Sequence, residues 1–312
     1  MNLLLVLAGV VLLYLGGESL VRGATSAGRR FGLSPMVIGL TIVSMGTSSP
    51  ELAATLAASF EGAPAVAFGN VVGSNISNLA LVLGITALIW PLDVAARFIR
   101  SDAPLMILTS AMLYLLVRDG RIGRWEGGIL LLVLLLFLIS LIRLRTTEST
   151  QIQAEFQEAY GRAGLPTWIS VTAILLGIAL LVIGAKILIH GAVGLATAMG
   201  ISERVIGLTL VALGTSLPEL ASSIVAALHR EGDVVIGNLI GSNLFNVLMI
   251  LGLTSVISPI AVETGAVWLD LNVMMLVSVV AWYFLKTHSR LGRHEGAILV
   301  SIYLAYIAYL FL

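Results

Sequence analysis

Hydrophobic positions in this chain gather into long continuous runs. They do not alternate as in strands, and few show the one-sided stripe of a surface helix. A membrane-spanning helix needs about 20 mostly apolar residues. Ten runs approach or meet that length, roughly 2–22, 34–60, 66–90, 103–118, 125–143, 168–191, 203–228, 234–258, 267–286 and 294–312. Their continuity excludes a β-barrel. The first run reads as a span and not a cleaved leader, because Met1-Asn2 offers no basic start and no small-residue cleavage site follows. The one long polar stretch, 146–166, separates residues 1–145 from 167–312, five runs on each side. It reads as a cytoplasmic linker, and its acids Glu148, Glu155 and Glu158 do not follow a calcium-loop pattern. The predicted fold is an all-α integral membrane protein of ten transmembrane helices.

The two halves repeat. A shift of 168 residues sets Gly32–Gly84 on Gly200–Gly252 without a gap, with 25 identities in 53 positions. GTSSPELA at 46–53 returns as GTSLPELA at 214–221, and GNVVGSNISN at 69–78 returns as GNLIGSNLFN at 237–246. Five spans per half is an odd number, so the second half enters the bilayer inverted. Secondary transporters commonly use this construction, with the substrate site near the midplane where equivalent segments meet.

Polar residues inside these apolar runs carry the candidate chemistry. Pro50 has no N–H for the carbonyl of Gly46, and Pro218 none for that of Gly214. Freed carbonyls are tolerated at membrane depth only where protein or a wet cavity surrounds them. Thr47, Ser48 and Glu51 share one side of a helix, as do Thr215, Ser216 and Glu219. One span later Asn70, Ser74 and Asn78 form a polar stripe, repeated as Asn238, Ser242 and Asn246, with Gly69/Gly73 and Gly237/Gly241 allowing close helix approach. Asn75 and Asn243 point elsewhere and are expected to bond between helices. A single buried Ser or Asn is most simply helix–helix glue, but a carboxylate at mid-membrane is functional by default. Hydroxyls, carbonyls and carboxylates are hard oxygen ligands, suited to Na⁺ or Ca²⁺. Two carboxylates carry a formal charge of about −2. One Ca²⁺, two Na⁺ or two protons neutralise it, so a site that is never stably empty enforces exchange. Glu18 and Lys186, equivalent under the shift in the Gly-rich first span of each half, read as snorkelling or interhelix pairs.

Composition agrees and narrows the field. Apolar residues are 58% and charged residues 11%, with a mean hydropathy of +1.04, which no soluble fold can cover. Lys plus Arg and Asp plus Glu are 17 each, so no nucleic-acid partner is implied. There is no cysteine, hence no disulfide or thiolate site. With the N-terminus outside, 12 basic residues fall on the cytoplasmic side and 5 on the other. Both termini are then extracellular or periplasmic. The cluster Arg118, Arg121 and Arg124 runs against the trend.

GTSSPE with GNVVGSNISN, repeated as GTSLPE with GNLIGSNLFN, resembles the α-repeats of the cation/Ca²⁺ exchanger superfamily, nearest its prokaryotic sodium/calcium exchanger branch. The resemblance is densest at 32–91 and 200–259. It implies ion sites between the second, third, seventh and eighth helices. Glu51 and Glu219 would be central Ca²⁺ ligands shared with Na⁺. Thr47, Ser48, Thr215 and Ser216 would supply oxygens mainly to Na⁺, Ser74 and Ser242 would complete flanking Na⁺ sites, and Asn78 with Asn246 would line the centre. Ser44 and Ala212 would lend backbone carbonyls. Asparagine at both central positions implies potassium-independent exchange, and the family implies a third Na⁺, hence charge movement. The protein is expected to need no cofactor, to catalyse no chemical reaction, and to work as a monomer in a prokaryotic plasma membrane. Ca²⁺/H⁺ antiport is the close alternative. A ten-span metabolite exporter fits less well, since aromatics are 7% and none lies in the GTSxPE segments.

Overall fold

The structure, a computed structural model, describes residues 2–31, 33–145, 165–199, 214–262 and 267–310. Ala212, the 205–209 copy of VIGLT and nearly all of the 146–166 linker lie outside them. The described chain is helical: α1 (Asn2–Phe31), α2 (Pro35–Ile38), α3 (Ser44–Thr47), α4 (Ser49–Phe60), α5 (Pro64–Ile76), α6 (Leu83–Ile89), α7 (Ala103–Leu116), α8 (Arg124–Arg145), α9 (Thr167–Ala198), α10 (Leu217–Leu228), α11 (Gly232–Phe245), α12 (Gly252–Ile257), α13 (Val267–His288) and α14 (Arg293–Leu310). Seven helical segments are long and apolar enough to cross a membrane; Pro35–Thr47 and Leu217–Leu228 are apolar but shorter. The 168-residue shift reappears in the element bounds. α4 maps onto α10, and the run Pro64–Ile89 onto Gly232–Ile257.

Two features depart from the sequence expectation. First, α1 continues to Phe31, well beyond residue 22. Hydropathy marks where lipid ends, whereas backbone hydrogen bonding carries a helix further, and the Thr25 hydroxyl donates to the Val21 carbonyl at 2.8 Å within the extension. Second, single widened turns of π-helix interrupt the spans at Gly39–Val43, Ser77–Val82, Phe98–Asp102 and Asn246–Leu251. Such turns shift the facing of every later side chain and often mark functional sites. The close helix approach expected at Gly237 and Gly241 is present. A Cβ at Gly241 would stand 2.8 Å from the Leu40 carbonyl oxygen, so α11 lies backbone to backbone on Pro35–Thr47. Among the described residues nothing comes within 4 Å of a Cβ at Gly69 or Gly73. The segment that the shift would set there, 204–212, is outside the description.

α1 and α9 pack antiparallel along their length. Glycines at intervals of seven face the partner helix from both sides: Gly9, Gly16 and Gly23 on α1, and Gly177, Gly184 and Gly191 on α9. A Cβ at Gly16 would stand 2.8 Å from the Leu181 nitrogen, and one at Gly177 would stand 2.5 Å from the Leu20 nitrogen. Only glycine lets the two backbones come this near.

Four two-residue strands tie the halves together at the helix ends. β1 (Leu92–Asp93) pairs antiparallel with β4 (Arg290–Leu291), and β2 (Arg121–Ile122) with β3 (Ile260–Ala261). Each pairing adds one bond beyond the strand, Val94 N–H to the Ser289 carbonyl and Val262 N–H to the Gly120 carbonyl, both at 2.8 Å. The 168-residue shift relates β1 to β3. Inside these braces sits α11–α12, whose apolar and polar faces are both buried, with Val234, Leu239, Leu244 and Asn246 at 1% exposure or less. A helix buried all round belongs at the centre of the molecule.

Candidate ion-binding site

The chain turns at Ser48 (φ −82°, ψ 5°) and at Ser216 (φ −86°, ψ 1°), and α4 and α10 begin directly afterwards. Pro50 and Pro218 thus stand in the first turn of a new half-helix, where a missing N–H breaks no bond. Sequence spacing suggested one helix with a freed carbonyl. Around Pro50 the structure has two half-helices, Ser44–Thr47 and Ser49–Phe60, since the proline ring crowds the carbonyl four residues earlier and the chain bends to avoid it. Glu51 and Glu219 both fall in that first turn. The positive end of the peptide dipole there favours a negative charge.

Both glutamates are buried, at 1% and 0% exposure. The halves touch at this point: the Ser48 hydroxyl donates to Glu219 Oε1 at 3.3 Å, and the Thr47 hydroxyl donates to Asn238 Oδ1 at 3.2 Å. Thr215 is only half-buried while Ser216 is buried. The Ser44 carbonyl accepts from the Ser48 N–H at 3.0 Å and is approached by the Thr47 hydroxyl at 3.4 Å.

The asparagines divide into two sets. Asn70 and Asn238, which the polar stripe placed beside the serines, anchor the glutamate helices. Asn70 Nδ2 donates to the Thr55 hydroxyl at 2.9 Å and to the Glu51 carbonyl at 3.3 Å. Asn238 Nδ2 donates to the hydroxyls of Ser222 and Ser223 at 3.4 and 3.3 Å. Thr55 and Ser223 are again 168 apart, so each copy carries its own acceptor. Asn75, Asn78, Asn243 and Asn246 bond across the two halves. The bonding of Asn75 and Asn243 follows their off-stripe position, but nothing in the sequence identified their partners.

Ten buried side-chain oxygens have no hydrogen-bond partner among the described residues, and eight of them belong to the expected site: both of Glu51, Glu219 Oε2, Ser74 Oγ, Ser242 Oγ, Asn78 Oδ1, Asn246 Oδ1 and Ser216 Oγ. The other two are Ser77 Oγ and Thr254 Oγ1. A serine hydroxyl on a helix ordinarily donates back to a carbonyl one turn earlier. Ser74 and Ser242 do not. Each unmet buried group costs roughly 1–3 kcal/mol. An oxygen-only set of this kind, containing two carboxylates, matches a hard cation. No cluster of three or more His, Cys, Asp or Glu side chains exists among the described residues, so a nitrogen- or sulfur-rich transition-metal site has no donors there.

Comparison with known proteins agrees with this donor set. The model of the family described as sodium/calcium exchanger protein matches residues 1–143 and 169–312. The sodium/calcium exchanger MaX1 of Methanosarcina acetivorans is 30% identical over 353 residues, spanning 99% of this chain and 98% of its own. The inner membrane protein YrbG of Escherichia coli is 35% identical over 315 residues, spanning 98% and 96%. A solved structure of the sodium-calcium exchanger NCX_Mj, soaked with zero Na⁺ and Ca²⁺, is similar with a TM-score of 0.82 and 32% identity, covering 99% of this chain and 98% of that one. With nearly every residue matched and the buried oxygens in place, the chain belongs to the sodium/calcium exchanger family of membrane ion antiporters.

Proposed function

We propose that this protein exchanges Na⁺ for Ca²⁺ by alternating access at a midplane site built on Glu51 and Glu219. The observation that carries the reading is the set of unpartnered buried oxygens, most of which the 168-residue shift relates in pairs. Glu51 and Glu219 are the central ligands. Ser74 and Ser242, with Thr47, Ser48, Thr215 and Ser216, serve flanking Na⁺ sites, and Asn78 with Asn246 line the centre. Ser44 and Ala212 lend carbonyls. The chain is organised as two inverted five-helix repeats, 1–145 and 167–312, joined by a cytoplasmic linker at 146–166, with both termini outside the plasma membrane. One chain holds both halves of the site, so a monomer suffices.

The moving part in this reading is the α1–α9 pair, which joins the site helices through short connections and meets its partner through glycine. Purified protein in liposomes tests the proposal: an outward Na⁺ gradient drives ⁴⁵Ca²⁺ uptake, and Glu51→Gln or Glu219→Gln stops it. Normal uptake by both variants would sink the reading. Uptake driven by a pH gradient without Na⁺ selects Ca²⁺/H⁺ exchange, because carboxylates also bind protons. A reversal potential measured against imposed Na⁺ and Ca²⁺ gradients reads whether a third Na⁺ moves.

A further inference from the structure

We propose that Asn75 and Asn243 are positioning residues that fix the direction in which Asn246 and Asn78 present their amide oxygens to the transported cation. The inference rests on the ion site proposed above. An asparagine amide has two unlike ends, and only the oxygen end coordinates a cation. Its orientation is decided by its hydrogen-bond network. Here the network starts from two atoms whose identity is fixed, the backbone carbonyls of Asn243 and Asn75.

Asn75 Nδ2 lies 3.3 Å from the Asn243 carbonyl oxygen. An oxygen placed there would face another acceptor, so the NH₂ end of Asn75 must point that way. Its Oδ1 is thereby turned to accept from Asn246 Nδ2 at 3.0 Å. That bond holds the NH₂ end of Asn246, and Asn246 Oδ1 is left buried with no partner among the described residues. The second half repeats the chain of bonds. Asn243 Nδ2 donates to the Asn75 carbonyl at 3.4 Å, Asn243 Oδ1 accepts from Asn78 Nδ2 at 3.2 Å, and Asn78 Oδ1 has no partner among the described residues. The remaining N–H capacity of Asn75 and Asn243 is taken up by soft acceptors, the sulfurs of Met274 at 3.8 Å and Met106 at 3.6 Å, which are themselves 168 residues apart.

The outcome is a two-fold ring of four amides whose N–H donors bond within the ring or to sulfur, and whose two remaining oxygens, Asn78 Oδ1 and Asn246 Oδ1, have no partner among the described residues. Asn75 orients the ligand of the opposite half, and Asn243 does the same in return. Removing Asn75 leaves the Asn246 amide free to present its NH₂ end to a cation. Ion affinity then falls while the rate of the transport cycle at saturation is spared.

The test is a double-mutant cycle on the full chain in liposomes, with ⁴⁵Ca²⁺ binding to the detergent-purified protein as a second readout. Asn75→Ala is expected to raise the KM for Ca²⁺ about tenfold, the scale of one weakened charge-assisted contact, with kcat within about twofold. In an Asn246→Asp background a carboxylate presents an oxygen whichever way it turns, so adding Asn75→Ala is expected to change KM by less than about twofold. Asn75→Ser, too short to reach Asn246, stands in where Asn75→Ala does not fold and carries the same expectation. An unchanged KM, or an equal rise in both backgrounds, overturns the proposal. A wild-type protein that neither transports nor binds Ca²⁺ overturns the underlying exchanger reading instead.

Discussion

The α1–α9 pair and the pair formed by Pro64–Ile89 and Gly232–Ile257 each consist of two segments related by the same 168-residue shift, yet they pack in different ways. α1 meets α9 glycine to backbone, and among the described residues the side-chain hydrogen bonds between them number two, Ser19 to the Ala173 carbonyl at 2.8 Å and Ser170 to Ser26 at 3.1 Å. Their apolar windows are 33% and 22% buried. The inner segments are 72% and 94% buried and are joined by the ring of asparagine amides. An interface with two hydroxyl bonds resists sliding less than a ring of buried amides, where each bond broken without a substitute costs roughly 1–3 kcal/mol. In the exchange reading proposed above, the outer pair is the part suited to movement and the inner pair the part suited to staying put. The β1–β4 and β2–β3 pairings hold the second part at both ends.

Five substitutions break or sharpen this contrast. The largest effect belongs to the centre: Glu51→Gln or Glu219→Gln is expected to cut Na⁺-driven ⁴⁵Ca²⁺ flux at least about a hundredfold, the scale of losing one buried charged ligand. Gly184→Val comes next. Its Cβ would stand 2.9 Å from the Leu13 nitrogen, so flux should fall about tenfold while Ca²⁺ binding in detergent stays within about threefold. A parallel loss of binding and flux would end the distinction between moving and fixed parts. Ser242→Ala removes one oxygen from a flanking position, and the Na⁺ concentration giving half-maximal flux should rise about threefold, more than that for Ca²⁺. Smallest is Arg290→Ala. Its ion pair with Asp93 spans 3.6 Å between exposed groups, and such pairs contribute about 0–1 kcal/mol, so flux should change by less than about twofold.

Much of this was legible in the residues. The apolar runs announce the helices, and the 168-residue shift singles out Glu51, Glu219, Ser74 and Ser242, each of which has a buried oxygen without a partner among the described residues. Other features left no local signal. Nothing in SNLALV or NVLMIL announces a π-turn, because that turn answers to packing across the interface and not to propensity. Asn70 and Asn78 look alike on a helical wheel, yet one bonds Thr55 and the other Asn243. Which partner an amide finds depends on tertiary register, and that register is set by glycines such as Gly241 on a helix far away in sequence. The sequence reads Glu18 as snorkelling or interhelix pairing, and it lies against both Arg22 and His229. Its partner at the end of α10 was not foreseeable from the first half alone.

The amide ring also bears on how the protein is made. Asn75 and Asn243 are separated by 168 residues of synthesis, which at roughly 5–20 residues per second takes about 8–34 seconds. For that interval the first half sits in the bilayer with the donors and acceptors of Asn75 and Asn78 unmet, and with β1 and β2 lacking their strand partners. The ribosome thus delivers half an amide ring and two open strand edges to the membrane before their counterparts exist. Severing the gene at the linker would turn that brief wait into a search between separate molecules, in which two copies of the first half are each other's most plentiful wrong partner.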